Sequence, residues 1–246
     1  MRAVYVIWLR ELIRFWRERA RILTSLLQPA VWLFIMGKGL GASFSGPMGI
    51  DYARFMFPGV IGMTVLFTSI FSGMSIIWDR EFGFLKEILV APVSRLSVVI
   101  GKALSGSTTA ILQGSLVMLF GPILGIKLSF WVVGQVIGIM FLIALALSSI
   151  GILIAARMES FQSFQLIMNF VVMPMFFLSG AAFPLGNLPL WMKSLVTIDP
   201  LAYGVDALKG VILGFNEFPL VLDLTVVTAT MLVAMVGAMV LFNREG

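Results

Sequence analysis

The stretch FMFPGVIGMTVLFTSIFSGMSIIWDRE, Phe55–Glu81, decides the fold class. Its first 24 residues, Phe55 to Trp78, carry no charge, and the run stops abruptly at Asp79, Arg80 and Glu81. A helix rises about 1.5 Å per residue and needs about 20 apolar residues to cross roughly 30 Å of hydrocarbon. This run therefore reads as a membrane span whose terminal charges mark a bilayer surface. The composition agrees: 60% of the 246 residues are hydrophobic and 12% charged. A soluble domain has about 45–50% apolar and about 25% charged residues.

Working outward, five further runs have span length: residues 22–40, 98–124, 131–156, 164–182 and 221–242. The first shows no convincing cleavage site, so it reads as a retained span rather than a signal peptide, bent at Pro29. Pro174 lies inside the fifth span. Lys102 stands near enough to the start of 98–124 to snorkel back to the headgroups.

Residues 1–21 carry eight charges and cannot cross. On a helical wheel Arg10, Arg14, Arg17, Glu18 and Arg21 fall opposite Tyr5, Trp8, Leu9, Leu12 and Trp16. That pattern predicts an interfacial amphipathic helix, arginines toward the headgroups and apolar side in the acyl boundary. Between the fifth and sixth spans, residues 183–220 are divided by Pro184, Pro189 and Pro200. The pieces 188–198 and 201–213 are too short to span and read as external or re-entrant helices. Trp191 and Tyr203 are expected to hold them at headgroup depth. The segment suits a lid over an exit, with Asp199, Asp206, Lys193 and Lys209 available for pairing; a plain external loop is the alternative.

The expected fold is thus all-α and polytopic: one transmembrane domain over 1–246, six spans, an interfacial helix at 1–21, a cytoplasmic loop at 79–97 and an external segment at 183–220. With the N-terminus inside, twelve Lys and Arg lie on the cytoplasmic side and five outside, which puts both termini in the cytoplasm of a multi-pass cell-membrane protein. The spacings Gly37–Gly41, Gly121–Gly125, Gly134–Gly138 and Gly210–Gly214 match the small-residue pattern of close helix approach.

Several activities are excluded. There is no cysteine and no histidine, so thiolate metal sites and histidine-based hydrolysis are absent. A phosphate-cradling GxxxxGK[ST] loop is also missing, so any energy source must come from a gradient or from another polypeptide. The span interiors hold Gln28, Gln113, Gln135 and Asn169 but no mid-membrane carboxylate, which argues against an ion-coupled carrier. Basic residues clustered at a membrane surface do not point to nucleic acid.

The loop REFGFLKEILVAPVSR, Arg80–Arg95, reads as a short amphipathic helix with Leu85, Ile88 and Leu89 on one face, halted by Pro92. It is either a solvated loop or, with its two phenylalanines flanked by both signs of charge, a plug for a soluble partner. Together with FLSGAAFPLGNLPLWMKSLVTIDPLAYGVDALKG, Phe177–Gly210, it resembles the membrane subunits of type-2 ATP-binding-cassette exporters. The likeness is closest to the daunorubicin and multidrug permease branch, and more distant to the nodulation-factor and polysaccharide export permeases.

The resemblance implies a six-span permease that pairs with a second copy of itself or a close paralogue and binds two cytoplasmic ATPase subunits, which carry the ATP and magnesium. It implies ATPase coupling through Arg80, Glu81, Phe82, Phe84, Leu85, Lys86 and Glu87. It also places a substrate pathway at the dimer interface, where Gln28, Phe67, Phe71, Asn169, Met173, Phe176 and Phe177 have the right character, and an outer gate at Trp191, Asp199, Tyr203 and Asp206. The expected cargo is an amphipathic or hydrophobic molecule: a drug, a lipid or a lipid-linked glycan. A membrane scaffold or sensor recruiting a cytoplasmic partner is the competing reading, with an ion-coupled carrier third.

Overall fold

The computed structural model describes residues 2–41, 51–82, 94–158, 160–186 and 188–244. Among them every regular element is helical. Helix α1, Arg2–Arg17, leads into α2, Arg19–Val31, which continues past Pro29 and widens into a π turn at Trp32–Met36 before α3, Gly37–Gly41. Pro29 has no N–H to return to the preceding turn. Helix α4, Tyr52–Ser72, starts on Asp51, whose side chain accepts the Ala53 N–H, and passes through Gly73 into α5, Met74–Glu81. Helix α6, Arg95–Met118, is capped by Ser94, and α7 runs Phe130–Ala156. Helix α8, Phe161–Leu178, is capped by Ser160, and each of these serine hydroxyls accepts an otherwise orphaned backbone N–H. The short α9, Leu190–Val196, and α10, Pro200–Leu213, precede α11, Leu220–Arg244.

Five stretches are long and apolar enough to cross a membrane: Tyr52–Glu81, Arg95–Leu124, Phe130–Ala156, Phe161–Leu178 and Leu220–Leu241. They match five of the expected spans. The third closes as an α-helix at Met118 and adds a 3-10 turn at Pro122–Leu124, while the fifth starts at Phe161 and stops at Leu178 rather than 182. The run 22–40 is helical but is not among the five. The two expected short helices are α9 and α10.

Helices α4, α6 and α7 pack against one another as the core, α1 lies along α6, and α11 lies on α7. The window of Tyr52–Glu81 is 67% buried, against 22% for α8 and 17% for α11, so α8 and α11 turn most of their surface outward. Backbones meet directly in the core. A Cβ on Gly73 would stand 2.5 Å from the Gly151 carbonyl oxygen, and one on Gly151 would stand 2.5 Å from the Ile70 carbonyl oxygen. Small residues allow such an approach, which lets dispersion hold helices together where lipid offers no hydrophobic drive. The expected spacings do not mark these sites. Gly134, Gly138 and Gly214 have no neighbour within 4 Å of an added Cβ, whereas Gly37, Gly121 and Gly125 all approach α4, meeting Ala53 at 2.9 Å, Phe57 at 3.1 Å and Arg54 at 2.6 Å.

Candidate functional site

The loop expected to meet a soluble partner is entered from α5 and left through α6, and a lattice of buried charge ties these two stems together. Lys102 Nζ, in the second turn of α6, donates to Asp79 Oδ2 at 2.6 Å and to Ser75 Oγ at 2.9 Å. It also lies 3.5 Å from Glu11 Oε1 on α1. Arg10, again on α1, pairs with Asp79 Oδ2 at 3.0 Å and with Glu11 at 2.6 Å. The Lys102 side chain is 2% exposed. Snorkelling to the headgroups, the expectation for Lys102, is therefore corrected: two carboxylates within reach hold the ammonium inside. A buried charge survives only when paired and hydrogen-bonded. Burial pulls the Arg10 guanidinium down, but its bond to Glu11 and the Asp79 and Glu11 charges outweigh this and leave its pKa above the ordinary value.

The arginine side of α1 accordingly does not face headgroups alone. Arg10 enters the lattice, and Arg14 stacks 4.1 Å over the Trp78 ring and pairs with Glu18 at 3.7 Å. Trp8, expected in the acyl boundary, donates its indole N–H to Thr108 on α6 at 3.0 Å. Tyr5, Val6, Ile13 and Trp16 form the outward apolar face.

Of the expected coupling residues, Arg80 donates to the Met158 and Ala156 carbonyls at 2.7 and 2.9 Å, fastening the stem to the C-terminal end of α7. Glu81 is exposed, and Phe82, just past α5, is 81% exposed. Phe84, Leu85, Lys86 and Glu87 lie outside the described residues.

Beside the lattice a cleft of about 590 Å³ opens between α1, α2, α4, α5 and α6. Its α6 wall is Lys102, Ser105, Thr109 and Gln113, spaced to share one helix face. The opposite wall is Thr68, Ser72 and Ser75, with Phe67, Phe71 and Trp78, and Gln28 closes the α2 side. Thr68 donates to Gln113 Oε1, so two polar side chains cross from α4 to α6 inside the cleft.

Three expected pathway residues, Gln28, Phe67 and Phe71, thus meet in one cavity. The other four do not join them. Asn169, Met173 and Phe177 lie on the outward face of α8, while Phe176 is buried and meets Trp32 edge-on at 5.4 Å. Phe71 also touches Phe164, so α8 packs behind the cleft wall.

The outer segment is more tightly built than a loose lid. Asp206 accepts the N–H groups of Glu217 and Phe218 at 2.8 to 2.9 Å, and Lys209 donates to the Gly180 carbonyl at 2.7 Å while lying 4.3 Å from the Phe55 ring centre. Both serve backbone groups; among the described residues they form no ion pair with each other. Asp199 caps α10 through the Leu201 N–H at 2.9 Å. Burial pushes its carboxyl up to about 7 and pushes Lys209 down to about 8. Tyr203 is buried and donates to the Thr197 carbonyl at 3.1 Å, whereas Trp191 is 66% exposed.

A family model described as ABC-2 type transporter matches residues 2–213, which include the lattice, the cleft and the outer segment. The chain belongs to the ABC-2 type transporter family. It is 30% identical over 214 residues to the protein named transport permease ycf38 of Cyanophora paradoxa, covering 84% of this chain and 72% of that one. It is 27% identical to nodulation protein J of Rhizobium leguminosarum bv. viciae, covering 85% and 81%. The inner membrane transport permease YadH of Escherichia coli K12 is 27% identical over 225 residues, covering 89% and 86%.

As an ABC-2 permease the chain is a membrane transport component rather than a catalyst, and its family implies association with ATPase partners. Sequence reading missed the members of the lattice in this permease. Asp79 read as the edge of a span and Lys102 as its start, and each side chain's partner lies on another helix. A signal was present: opposite charges near the facing ends of two spans joined by a short loop.

Proposed function

We propose that this ABC-2 permease is the membrane half of an ATP-driven exporter. Two copies, or one copy and a close paralogue, form the pathway; two cytoplasmic ATPase subunits carry ATP and magnesium; and the cargo is amphipathic. Within the family, the Arg80–Arg95 and Phe177–Gly210 motifs resemble those of the daunorubicin-type permeases, which supports assigning it to that branch. The run 22–40 serves as a sixth span, α1 lies at the cytoplasmic interface, and both termini are cytoplasmic, in keeping with the distribution of basic residues.

The observation that carries this reading is the lattice of Arg10, Glu11, Asp79 and Lys102. Motion delivered to loop 79–97 by a closing ATPase reaches two spans and the N-terminal helix at once, because the lattice makes them one lever. Arg80 extends that lever to α7. The cleft beside it supports a cargo pathway that opens and closes as the lever moves. Asn169, Met173 and Phe177, facing outward from α8, line the contact with the second copy, while Trp191, Asp199, Tyr203 and Asp206 belong to the outer closure.

The test is ATP hydrolysis in liposomes holding this chain and its ATPase. Stimulation by an amphiphile, with transport that stops when ATP is withheld, is the expected result. A scaffold would give no stimulation, and a carrier would follow an ion gradient and ignore ATP.

A further inference from the structure

The cleft joins polar side chains to the aromatic rings of Phe67, Phe71 and Trp78. Its walls carry hydroxyls and amides, and several retain unused hydrogen-bonding capacity. Gln113 accepts from Thr68 through Oε1, while its amide nitrogen has no partner among the described residues. The Gln28 side chain and the Ser105 hydroxyl likewise have none among them. Ser72 and Thr109 spend their protons on backbone carbonyls, which leaves their oxygens free to accept. The vacant capacity is therefore mixed, with donors and acceptors along the same two helix faces.

Each charge lining the cleft has an opposite charge beside it. Glu11 and Lys102 belong to the lattice, and Arg14 and Glu18 pair with each other. Two acids balance two bases, so the cleft carries no net charge to favour a phosphate or an ammonium. Bringing a charged head group into such a site strips its hydration without replacing it. Phe67 and Phe71, stacked at 6.3 Å between ring centres, provide an apolar rest beside the polar stripe.

Resting on the reading of this chain as an amphiphile exporter, we propose that the cleft binds amphiphiles with an uncharged, hydroxyl-rich head group and rejects those with a phosphate or ammonium head. The head lies against Gln28, Ser105 and Gln113, and the hydrophobic body lies on Phe67 and Phe71. Hydroxyls match the lining because each both donates and accepts.

The test uses the full chain in lipid nanodiscs with no ATPase and no nucleotide. Octyl glucoside, octyl phosphate and octyltrimethylammonium share a tail and differ in the head. Each is presented below its micelle-forming concentration, and binding is read by saturation-transfer NMR against empty nanodiscs. Octyl glucoside is expected to give protein-dependent, saturable binding at least tenfold tighter than the other two. Gln28→Leu and Ser105→Ala should each weaken it about threefold to tenfold, the range of one neutral hydrogen bond, with the thermal unfolding midpoint unchanged. Equal binding of the three probes, no signal above empty discs, or unchanged affinity in both variants would overturn the proposal. Because no ATPase is present, failure here leaves the exporter reading standing, and failure of ATP coupling leaves the head-group preference standing.

Discussion

Lys102 Nζ sits 2.6 Å from Asp79 Oδ2, joining the two helices on either side of the loop between α5 and α6. Both side chains are buried, and neither could be left there alone without a large desolvation cost. Asp79→Asn leaves Arg10 and Lys102 to share Glu11, and should destabilise the protein by about 3 kcal/mol, the lower end for breaking a buried pair. Combined with Lys102→Met, the two losses should fall short of additive by about 1–3 kcal/mol. Unfolding in mixed micelles measures this cycle; strict additivity would show that the two residues act independently.

The close approach at Gly151 makes a contrasting pair of substitutions informative. Gly151→Val pushes side-chain atoms into the Ile70 backbone, which cannot move aside as a flexible side chain would, and should cost at least about 1–3 kcal/mol. Gly134→Ala meets open space and should be neutral or stabilising by up to about 1 kcal/mol. Unfolding midpoints of the two variants decide it, and similar values would mean the helices do not touch at Gly151.

Asp199 gives the outer segment a pH dependence with a defined sign. Its carboxyl is pushed by burial from the ordinary 3.8 to about 7. Between those values the folded chain keeps a proton that the unfolded chain has lost, so this group's contribution to stability falls as pH rises from about 4 to about 7. Lys209, at about 8, titrates above that window. Asp199→Asn keeps an oxygen to cap Leu201 and removes the titration. The difference in melting temperature between wild type and variant should therefore change steadily from pH 4 to pH 7 and level off beyond it; a constant difference would refute the assignment.

Phe82 provides a direct check on coupling. Being 81% exposed, it contributes little to folding, so Phe82→Ala should leave membrane insertion and melting temperature unchanged. Co-purification of the ATPase should drop, together with stimulated ATP hydrolysis, and Phe84→Ala should behave alike. Full retention of the ATPase by both variants would argue that this loop is not the docking element.

Much of the helix layout was legible because span-forming runs are a local property. The uncharged stretch Phe55–Trp78 and the proline breaks at 184, 189 and 200 needed no knowledge of neighbours. The glycine spacings were legible only in part, with Gly37, Gly121 and Gly125 against α4 but Gly134 and Gly138 in open space, because a small residue matters only where another element comes near, and Gly151 meets Ile70, far away in sequence. Tyr203 shows the same limit, since its burial against the Phe218 ring is a tertiary contact that residue type does not announce.

By itself the sequence determined the solvent in which this protein lives, the lengths of its membrane-crossing helices and the loop whose motif marks it as a transporter component. Those follow from runs of residue type, because hydrocarbon tolerates unbroken apolar helices and little else. Only the tertiary structure decided which charges neutralise one another, which serines and glutamines face a cleft and which glycines let helices touch. These depend on distance between residues remote along the chain: Arg10 and Asp79 meet across 69 positions, and no local pattern encodes that encounter.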